Sequence, residues 1–393
     1  MKSIKKLLTM MLAIVVLAAL VVPFAPVSAA SSNIKLVIDG TEVKTAIPPF
    51  VENGTTFVPL RAATEFLGAD VSWNQTTRQA TVKTAGYVVV FTIGSRDFTV
   101  NGVRKTSGQA TQLINGSTMI PIRALAESIG AEVSYDHSTV TASVKYFTNM
   151  KGNIVVTGST TVQPIMQAAA DYLIGKNTGL SISVAGGGSG TGKNDTKNGT
   201  NNIGMSSSAM SADDMRTLDA FIVAKDAVAI IVHPNNPVKG LTKEQAIDIF
   251  TGKIKNWNEV GGNNAPILVQ TREAGSGTLD TIQSLLLGSG NSIVGTATAH
   301  SSSGLLLNAV ANNANAIGYD SIGYLNNTVK AVTLAGIMPS AATVKNGAYS
   351  ISRDLWVFTK GRPTGVYAML IDFLRSEYCQ TKITVPEGYV SIR

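Results

Sequence analysis

Cysteine and histidine are scarce in this chain of 393 residues, which has one cysteine and three histidines. The lone thiol, Cys379, can form no disulfide within the chain. His137, His233 and His300 lie far apart, and no His/Asp/Glu cluster has the spacing of metal ligands. We therefore predict neither a metal nor a cofactor. With so few histidines and no paired acid apparent, no hydrolase triad can be nominated either.

Charged residues are also few, at 15% of the chain, whereas hydrophobic residues make up 44%. The formal net charge is +7, but no dense run of lysine and arginine interleaved with aromatic residues occurs, so nucleic-acid binding has little support. The apolar content is sufficient to offset chain entropy, and the length exceeds that of one compact core. The composition predicts a globular protein of two or three domains.

Residues 1–30 have the pattern of a cleaved signal peptide. Lys2, Lys5 and Lys6 precede an apolar run over residues 7–22, and residues 27–29 (VSA) are small, as at a cleavage site. The alternative is a retained membrane anchor, for which the run is short. We expect an exported protein, extracellular or associated with the cell wall. No cysteine directly follows the signal segment, so we expect no lipid anchor.

The first third of the chain is an internal repeat. Residues 53–61 (NGTTFVPLR) correspond to residues 115–123 (NGSTMIPIR) at an offset of 62 residues, and residues 67–73 correspond to 129–135. Such self-similarity marks a duplicated supersecondary unit. Each unit predicts strands, an Asn-Gly hairpin turn, a short helix closed by Gly68 or Gly130, and further strands.

Residues 33–146 resemble the copper amine oxidase N-terminal domain, a stalk on many exported bacterial proteins. The resemblance rests on the repeated Pro-Leu/Ile-Arg signature and implies no copper chemistry here. Arg61 and Arg123 are candidates for contacts with a cell-wall polymer. The alternative is that both are helix-start residues packed on strands.

From residue 153 strands alternate with helices, which predicts an α/β domain with a parallel sheet. At three junctions a strand ends in a segment rich in Gly, Ser and Thr before a helix: residues 158–161 (GSTT), 186–192 (GGGSGTG) and 272–278 (REAGSGT). Free backbone N–H groups at helix starts suit an oxyanion, and Arg272 adds a forked positive partner. Each junction alone is more often an ordinary N-cap, but the three in this order indicate an anion site.

Residues 153–393 are similar to the substrate-binding protein of phosphate ABC transporters. Matching stretches include residues 157–164, 186–192, 202–207, 231–237, 249–257, 272–278 and 316–319. The resemblance implies a clamshell of two α/β lobes, lobe 1 about 153–227 and 355–393 and lobe 2 about 228–354, with hinges near 227–230 and 355–358. The implied ligand-binding residues are Ser159, Thr160, Thr161, Ser189, Asn202, Arg272, Ser276, Gly277 and Thr278.

This sequence departs from the family at two positions. Asn202 stands where the family usually has an aspartate, and Ser208 where it commonly has an arginine. An aspartate accepts the proton of hydrogen phosphate and repels a fully ionised oxyanion. We therefore expect weaker discrimination against sulfate, or a changed ligand.

Three other functions are alternatives to phosphate capture. Residues 187–194 (GGSGTGKN) nearly form a nucleotide-binding P-loop, but Asn194 replaces the required Ser or Thr. The same segment fails as a nucleophile elbow because Thr191 replaces a glycine. The serious alternative is a wall-held oxyanion scavenger, sensor or adhesin that is not coupled to transport.

The sequence as a whole predicts an α/β protein with a two-lobed periplasmic-binding-protein clamshell, preceded by a small duplicated α+β stalk domain. Its expected function is capture of inorganic phosphate, or a similar tetrahedral oxyanion, for an ABC transporter permease. We expect no enzymatic activity.

Overall fold

The computed structural model describes residues 34–393, so the predicted signal peptide lies outside the described residues. Within this range no helix combines the length and apolarity needed to cross a membrane. The described chain forms a repeat domain, residues 34–146, followed by two lobes. Lobe 1 comprises residues 147–227 and 352–393, and lobe 2 comprises residues 228–351.

Short hairpins and two seven-residue helices build the repeat domain. Asn53, Gly54, Asn115 and Gly116 all have positive φ, between 47° and 78°, as tight Asn-Gly turns require. The elements are β1 (Lys35–Ile38), β2 (Thr41–Glu42), β3 (Phe50–Glu52), β4 (Thr55–Pro59), α1 (Leu60–Phe66), β5 (Asp70–Asn74), β6 (Gln79–Lys83), β7 (Val88–Thr92), β8 (Asp97–Val100), β9 (Val103–Thr106), β10 (Gln112–Ile114), β11 (Ser117–Pro121), α2 (Ile122–Ser128), β12 (Glu132–Asp136) and β13 (Thr141–Lys145).

The element order repeats with the offset of 62 residues seen in the sequence. Strands β1–β6 with α1 recur as β8–β13 with α2. The repeats meet at the antiparallel pair β4–β11, where Val58 lies opposite its own counterpart Ile120. They also exchange outer strands, because β1 pairs with β13 and β6 joins the β7-β8-β9 meander. The duplicated halves therefore form one intertwined domain.

The lobes contain the remaining elements, many of which alternate strand and helix. They are β14 (Lys151–Gly158), α3 (Gln163–Lys176), β15 (Gly179–Gly187), α4 (Ser189–Asn198), β16 (Ile203–Ser206), α5 (Ala212–Thr217), β17 (Asp219–Val232), β18 (Gly240–Leu241), α6 (Lys243–Phe250), β19 (Leu268–Arg272), α7 (Gly277–Thr281), β20 (Thr298–His300), α8 (Ser303–Ala311), β21 (Ala316–Ser321), β22 (Lys330–Ala331), β23 (Thr333–Leu334), α9 (Ala341–Lys345), β24 (Ser352–Thr359), α10 (Gly365–Arg375) and α11 (Glu377–Cys379). Short 3₁₀ turns cover Trp257–Val260 and Ile322–Tyr324, and π-helical turns cover Ile282–Leu287 and Gln380–Thr384.

One mixed sheet runs through both lobes in the order β15-β14-β16-β24-β17-β21-β19-β20. Strand β17 belongs to both lobes, since residues 219–227 pair with β24 and residues 228–232 with β21. The chain therefore first crosses between lobes at residues 227–228. It crosses back at residues 351–352, where the Val228 amide donates to the Ile351 carbonyl at 2.9 Å. Residues 355–358, where the resemblance implied a second hinge, pair with β16 and β17 inside lobe 1.

Two apolar cores fill the described molecule. One is continuous from the repeat domain into lobe 1 and includes Phe66, Tyr146 and Phe373. The other fills lobe 2 around the second half of β17 and Trp257. The repeat domain and lobe 1 thus share buried apolar surface, the dominant stabilising contribution to folding.

Polar contacts fix the same junction. The fully buried Asp372 carboxylate accepts from the Ala85 amide at 2.7 Å and from the Tyr146 hydroxyl at 2.8 Å. Burial raises the pKa of Asp372 to about 7. Gly68, with φ +84°, lies so close to α10 that a Cβ there would stand 2.1 Å from the Asp372 carbonyl oxygen. The repeat domain is therefore docked tightly on lobe 1.

The segment that joins repeat domain and lobe 1 is held in place by Asn177. Its carboxamide oxygen accepts from the Met150 amide at 2.8 Å, and its nitrogen donates to the carbonyls of Phe147 and Leu173. Phe147 and Met150 are both buried. The connection between the domains is thus part of the folded core.

Candidate oxyanion-binding site

The first predicted junction lies at the carboxyl end of β14, where Ser159, Thr160 and Thr161 are all buried. The close approach of the ends of β14 and β16 depends on Gly158, whose φ is +135°. A Cβ at this position would lie 2.3 Å from the Met205 carbonyl oxygen of the neighbouring strand. A glycine here lets β14 and β16 end side by side.

The second junction is the start of α4, where Ser189 is fully buried. Its hydroxyl accepts from the Ser207 amide at 3.0 Å, which joins it to the carboxyl end of β16. The next residue makes a hydrogen bond to the other lobe: the Gly190 amide donates to the Gly275 carbonyl at 3.0 Å. The second and third junctions are thus in direct contact.

The third junction combines the end of β19 with the start of α7. Ser276 caps α7 by accepting from the Leu279 amide, and Gly277 and Thr278 are buried behind it. The Thr278 hydroxyl lies 3.1 Å from the Thr161 hydroxyl of lobe 1. The three junctions, which are distant in sequence, therefore meet at one interlobe contact, and the lobes are closed on each other.

Arg272 is buried at this contact, with 4% of its surface exposed. Its guanidinium donates to the hydroxyls of Ser303 and Thr160 at 3.1 and 3.2 Å, and to the carbonyls of His300 and Ser301. All four acceptors are neutral oxygens. Burial lowers the pKa of Arg272, but a guanidinium keeps its charge in proteins. The contact therefore holds a desolvated cation bonded to neutral groups.

Arg353 is a second buried arginine, and the sequence reasoning missed it. It lies on β24 and forms an ion pair with the fully buried Asp226 at 2.8 Å. The same guanidinium donates to the Gly277 carbonyl and the Thr278 hydroxyl, each at 3.2 Å. Its charge is thus balanced by Asp226, whereas that of Arg272 is not balanced by a direct carboxylate partner. No local motif marks Arg353, because its partners come from other strands and helices.

Further residues around the junctions were also missed as ligand candidates. The Ser207 hydroxyl accepts from the Ser159 hydroxyl at 2.9 Å, and the Tyr324 and Tyr389 hydroxyls donate to the carbonyls of Thr160 and Thr161. Ser207 could have been inferred from its position at the carboxyl end of β16. The tyrosines carry no signal in their local sequence.

Asn202 must be removed from the predicted site. Its carboxamide oxygen accepts from the Val155 amide at 2.8 Å, in the turn before β16. The site lies at the other end of that strand, beyond Ser206, and a strand rises about 3.3 Å per residue. Asn202 therefore cannot touch a ligand there. The expectation of weaker sulfate discrimination thereby loses the support that it took from Asn202, and stays a prediction.

Ser208, the other departure, does lie near the site. It is buried, and its hydroxyl is 3.0 Å from that of Ser206. It lies close to Asp280 of α7, a carboxyl whose pKa is raised by burial. A second carboxyl, Asp320, is fully buried and accepts from the Ser321 amide at 2.8 Å, and burial raises its pKa to about 6. These groups surround the contact but do not pair directly with Arg272.

The structure argues against the alternative of a nucleotide-binding P-loop, because its lysine, Lys193, is bonded elsewhere. The Lys193 ammonium forms an ion pair with Asp214 at 2.9 Å and donates to the Ala209 carbonyl. In a P-loop this lysine must reach the phosphates of the nucleotide. Among residues 34–393 there is also no group of His, Cys, Asp and Glu side chains able to hold a metal ion.

Comparison with known families agrees with both parts of the fold. Residues 134–376 match the PBP superfamily domain, and residues 37–144 match the copper amine oxidase N-terminal domain. Two α/β lobes that close over a cluster of hydrogen-bond donors suited to an anion define a substrate-binding protein of the periplasmic-binding-protein class. The predicted fold class is confirmed.

Individual relatives narrow the class. The chain is 33% identical to the phosphate-binding protein PstS of Bacillus subtilis over 247 residues, which cover 61% of this chain and 81% of that protein. It therefore belongs to the PstS phosphate-binding protein family, as the sequence predicted.

Two solved structures are also similar. A candidate phosphate ABC transporter substrate-binding protein of Clostridium perfringens, solved with bound phosphate, is 36% identical with a TM-score of 0.59. The match covers 62% of this chain and 100% of that one. An ABC-type phosphate transport receptor of Vibrio cholerae is 33% identical with a TM-score of 0.52, covering 60% and 99% of the two chains.

Proposed function

We propose that this chain captures inorganic phosphate, or a similar tetrahedral oxyanion, and delivers it to an ABC transporter permease. The single observation that carries the proposal is the buried Arg272, bonded only to neutral oxygens where the three junctions meet. An anion at this contact supplies a directly bonded counter-charge, which the nearby Asp320 does not. The names of the related proteins favour phosphate over other oxyanions.

The proposed ligand donors are Ser159, Thr160, Thr161, Ser189, Arg272, Ser276, Gly277 and Thr278. Hydrogen bonds to a charged group contribute about 1.5–3 kcal/mol each. Micromolar affinity corresponds to about −8 kcal/mol. A handful of such bonds is therefore sufficient after the costs of ordering and closure are subtracted.

Titration calorimetry on the phosphate-stripped protein tests the proposal. We expect saturable phosphate binding with a micromolar or lower Kd, and mass spectrometry of the untreated protein should identify the ligand it carries. Absence of binding at millimolar phosphate would refute the ligand assignment.

A second candidate function is a wall-associated oxyanion scavenger, sensor or adhesin without coupling to transport. It is favoured by the repeat domain, which is docked on lobe 1 and adds surface that solute capture does not need. Phosphate uptake in a deletion strain at low external phosphate separates the two. Reduced uptake supports transport, and unchanged uptake supports the second function.

We further propose that the chain is exported, is extracellular or held at the cell wall without a lipid anchor, and has no enzymatic activity. The pattern of residues 1–30 supports export, and no nucleophile–base pair is among the proposed donors. Cell fractionation with an antibody tests the location, and recovery only in the cytosol would contradict it.

A further inference from the structure

The repeat domain carries two grooves that are copies of each other. Groove A, lined by Arg123, Tyr135 and His137 among others, has a volume of about 460 Å³. Groove B, about 330 Å³, is lined at the equivalent positions by Arg61, Trp73 and Gln75. Each residue named for groove B lies 62 residues before its counterpart in groove A. The duplication has thus preserved a concave surface as well as a fold.

Each groove is built from both repeats. Groove A is bounded by α2 of the second repeat and by the turn at Gly54 of the first. Groove B is bounded by α1 of the first repeat and by the turn at Gly116 of the second. Because Val58 faces Ile120 across the antiparallel β4–β11 pair, a local twofold axis perpendicular to the sheet relates the grooves. A ligand with a repeating structure is the kind that two equivalent sites select.

An aromatic ring lies in each groove. Trp73 is 39% exposed on β5, and its ring nitrogen donates to the Gln75 side chain at 2.8 Å. Tyr135 makes an edge contact with His137, with ring centroids 4.9 Å apart. A large indole exposed in this way stays in contact with water unless a ligand covers it.

Polar groups surround each ring. The side chains of Arg61 and Arg123 are 62% and 67% exposed, and each pairs with a glutamate four residues later, Glu65 or Glu127. Serine and threonine hydroxyls line both grooves: Thr55, Thr56 and Ser134 in groove A, and Ser72, Ser117 and Thr118 in groove B. Each groove therefore has hydrogen-bond donors and acceptors around the apolar face of an aromatic ring.

The charge of the domain narrows the ligand class. Residues 34–146 contain ten lysines and arginines and nine aspartates and glutamates, a net charge of +1. Such a balance creates no field that would gather a polyanion. The surface therefore suits a neutral ligand that combines a flat apolar face with hydroxyls at its edge.

We propose that grooves A and B each bind a segment of β-1,4-linked glycan. The substituents of such glucose-type rings are equatorial, so each ring presents a bare C–H face that stacks on Trp73 or Tyr135. The hydroxyls at the ring edge then bond to the arginine, serine and threonine side chains. Because the twofold axis reverses direction, the two grooves hold glycan segments of opposite polarity, and a polymer with neighbouring strands binds more tightly than one segment alone.

The test uses the full mature chain and two soluble probes, the β-1,4-linked hexamers of N-acetylglucosamine and of glucose. We expect saturable binding of at least one by calorimetry, with a change in tryptophan fluorescence because Trp73 is exposed. The preferred hexamer identifies the sugar class. Absence of binding of both at millimolar concentration overturns the proposal, as does binding only to an anionic polymer such as a polyglycerol phosphate.

Variants assign any binding to the grooves. Trp73→Ala and Tyr135→Ala should each weaken hexamer binding at least fivefold, and the double variant should abolish it. Trp73→Phe retains a ring and should lose less than threefold. Val103→Ala, on an exposed strand position outside both grooves, is the matched control and should leave binding unchanged.

Phosphate binding by the same variants checks that they fold. If one alanine variant loses phosphate binding, the other decides the question, because each removes the ring of a different groove. Hexamer affinity that is the same in the wild type and the double variant overturns the assignment to the grooves.

Discussion

At the scale of single residues, the site contains two buried arginines with different electrostatic partners. Arg353 is neutralised by Asp226 at 2.8 Å, so it positions α7 and the junction hydroxyls without needing a ligand. Arg272 donates only to neutral oxygens. An unpaired desolvated charge is costly, so Arg272 is the residue that gains most from an anion.

Replacing Arg272 with lysine should weaken phosphate binding about 10- to 100-fold. The charge is kept but the forked geometry is lost, and a charge-assisted hydrogen bond is worth about 1.5–3 kcal/mol. Calorimetry measures the change. Arg216→Lys, at an exposed ion pair, is the control, and a loss below threefold at Arg272 would show that the anion lies elsewhere.

Asn202→Asp should leave phosphate affinity and the preference over sulfate unchanged, because the side chain bonds to the Val155 amide away from the site. Competition of sulfate against phosphate in calorimetric titrations measures the preference. A shift of more than threefold toward phosphate would place Asn202 near the ligand after all.

At the scale of elements, the start of α7 packs against lobe 1 without room for a side chain at Gly277. A Cβ there would lie 2.3 Å from the Ser189 hydroxyl and 2.6 Å from the Ser208 amide nitrogen. Closure of the lobes therefore requires a glycine at this position, in addition to any hydrogen bond its amide makes.

Gly277→Ala should hold the lobes apart and reduce phosphate affinity at least tenfold, because overpacking at a tight contact costs about 1–3 kcal/mol. Calorimetry gives the affinity, and small-angle scattering should show a larger radius of gyration with phosphate present. Gly175→Ala, in α3 with open space around it, is the control. Equal affinity in the two variants would contradict the role of Gly277 in closure.

At the scale of the whole molecule, the repeat domain and lobe 1 form one unit with a common core. Gly68 and Gly130 are equivalent positions with nearly equal φ, +84° and +80°. Only Gly68 faces the second domain, against the Asp372 carbonyl, whereas a Cβ at Gly130 meets open space. Comparing substitutions at Gly68 and Gly130 therefore distinguishes the effect of backbone strain from the effect of contact between the domains.

Gly68→Ala should lower the melting temperature by several degrees more than Gly130→Ala. Both variants carry the same left-handed strain, so the difference reports the clash with α10. Scanning calorimetry measures both. Equal melting temperatures would mean that the domains do not pack as described.

The buried Asp372 gives the stability a pH dependence. Its folded-state pKa of about 7 lies above the unfolded value, so between about pH 4 and 7 the folded state binds the extra proton. Stability then falls as pH rises, by at most about 1.4 kcal/mol per pH unit for this group. Asp372→Asn should reduce the drop in melting temperature between pH 5 and 7.5. An unchanged drop would assign it to other buried carboxyls such as Asp320.

The sequence predicts what is encoded locally. The Asn-Gly turns, the repeat offset and the three junctions each depend on residues close together in the chain, and the structure has them where expected. Arg353 with Asp226 could not be predicted, because the ion pair joins positions 127 residues apart. Asn202 was misplaced because a motif gives the strand but not which of its ends faces the ligand.

Because the repeat domain and lobe 1 share one core, they move together, and only lobe 2 can move relative to them. The larger part of the chain is a single block, and lobe 2 is attached to it through the two strand crossings. A surface that binds the repeat domain therefore also immobilises lobe 1. Closure on an anion then takes place by movement of lobe 2 alone.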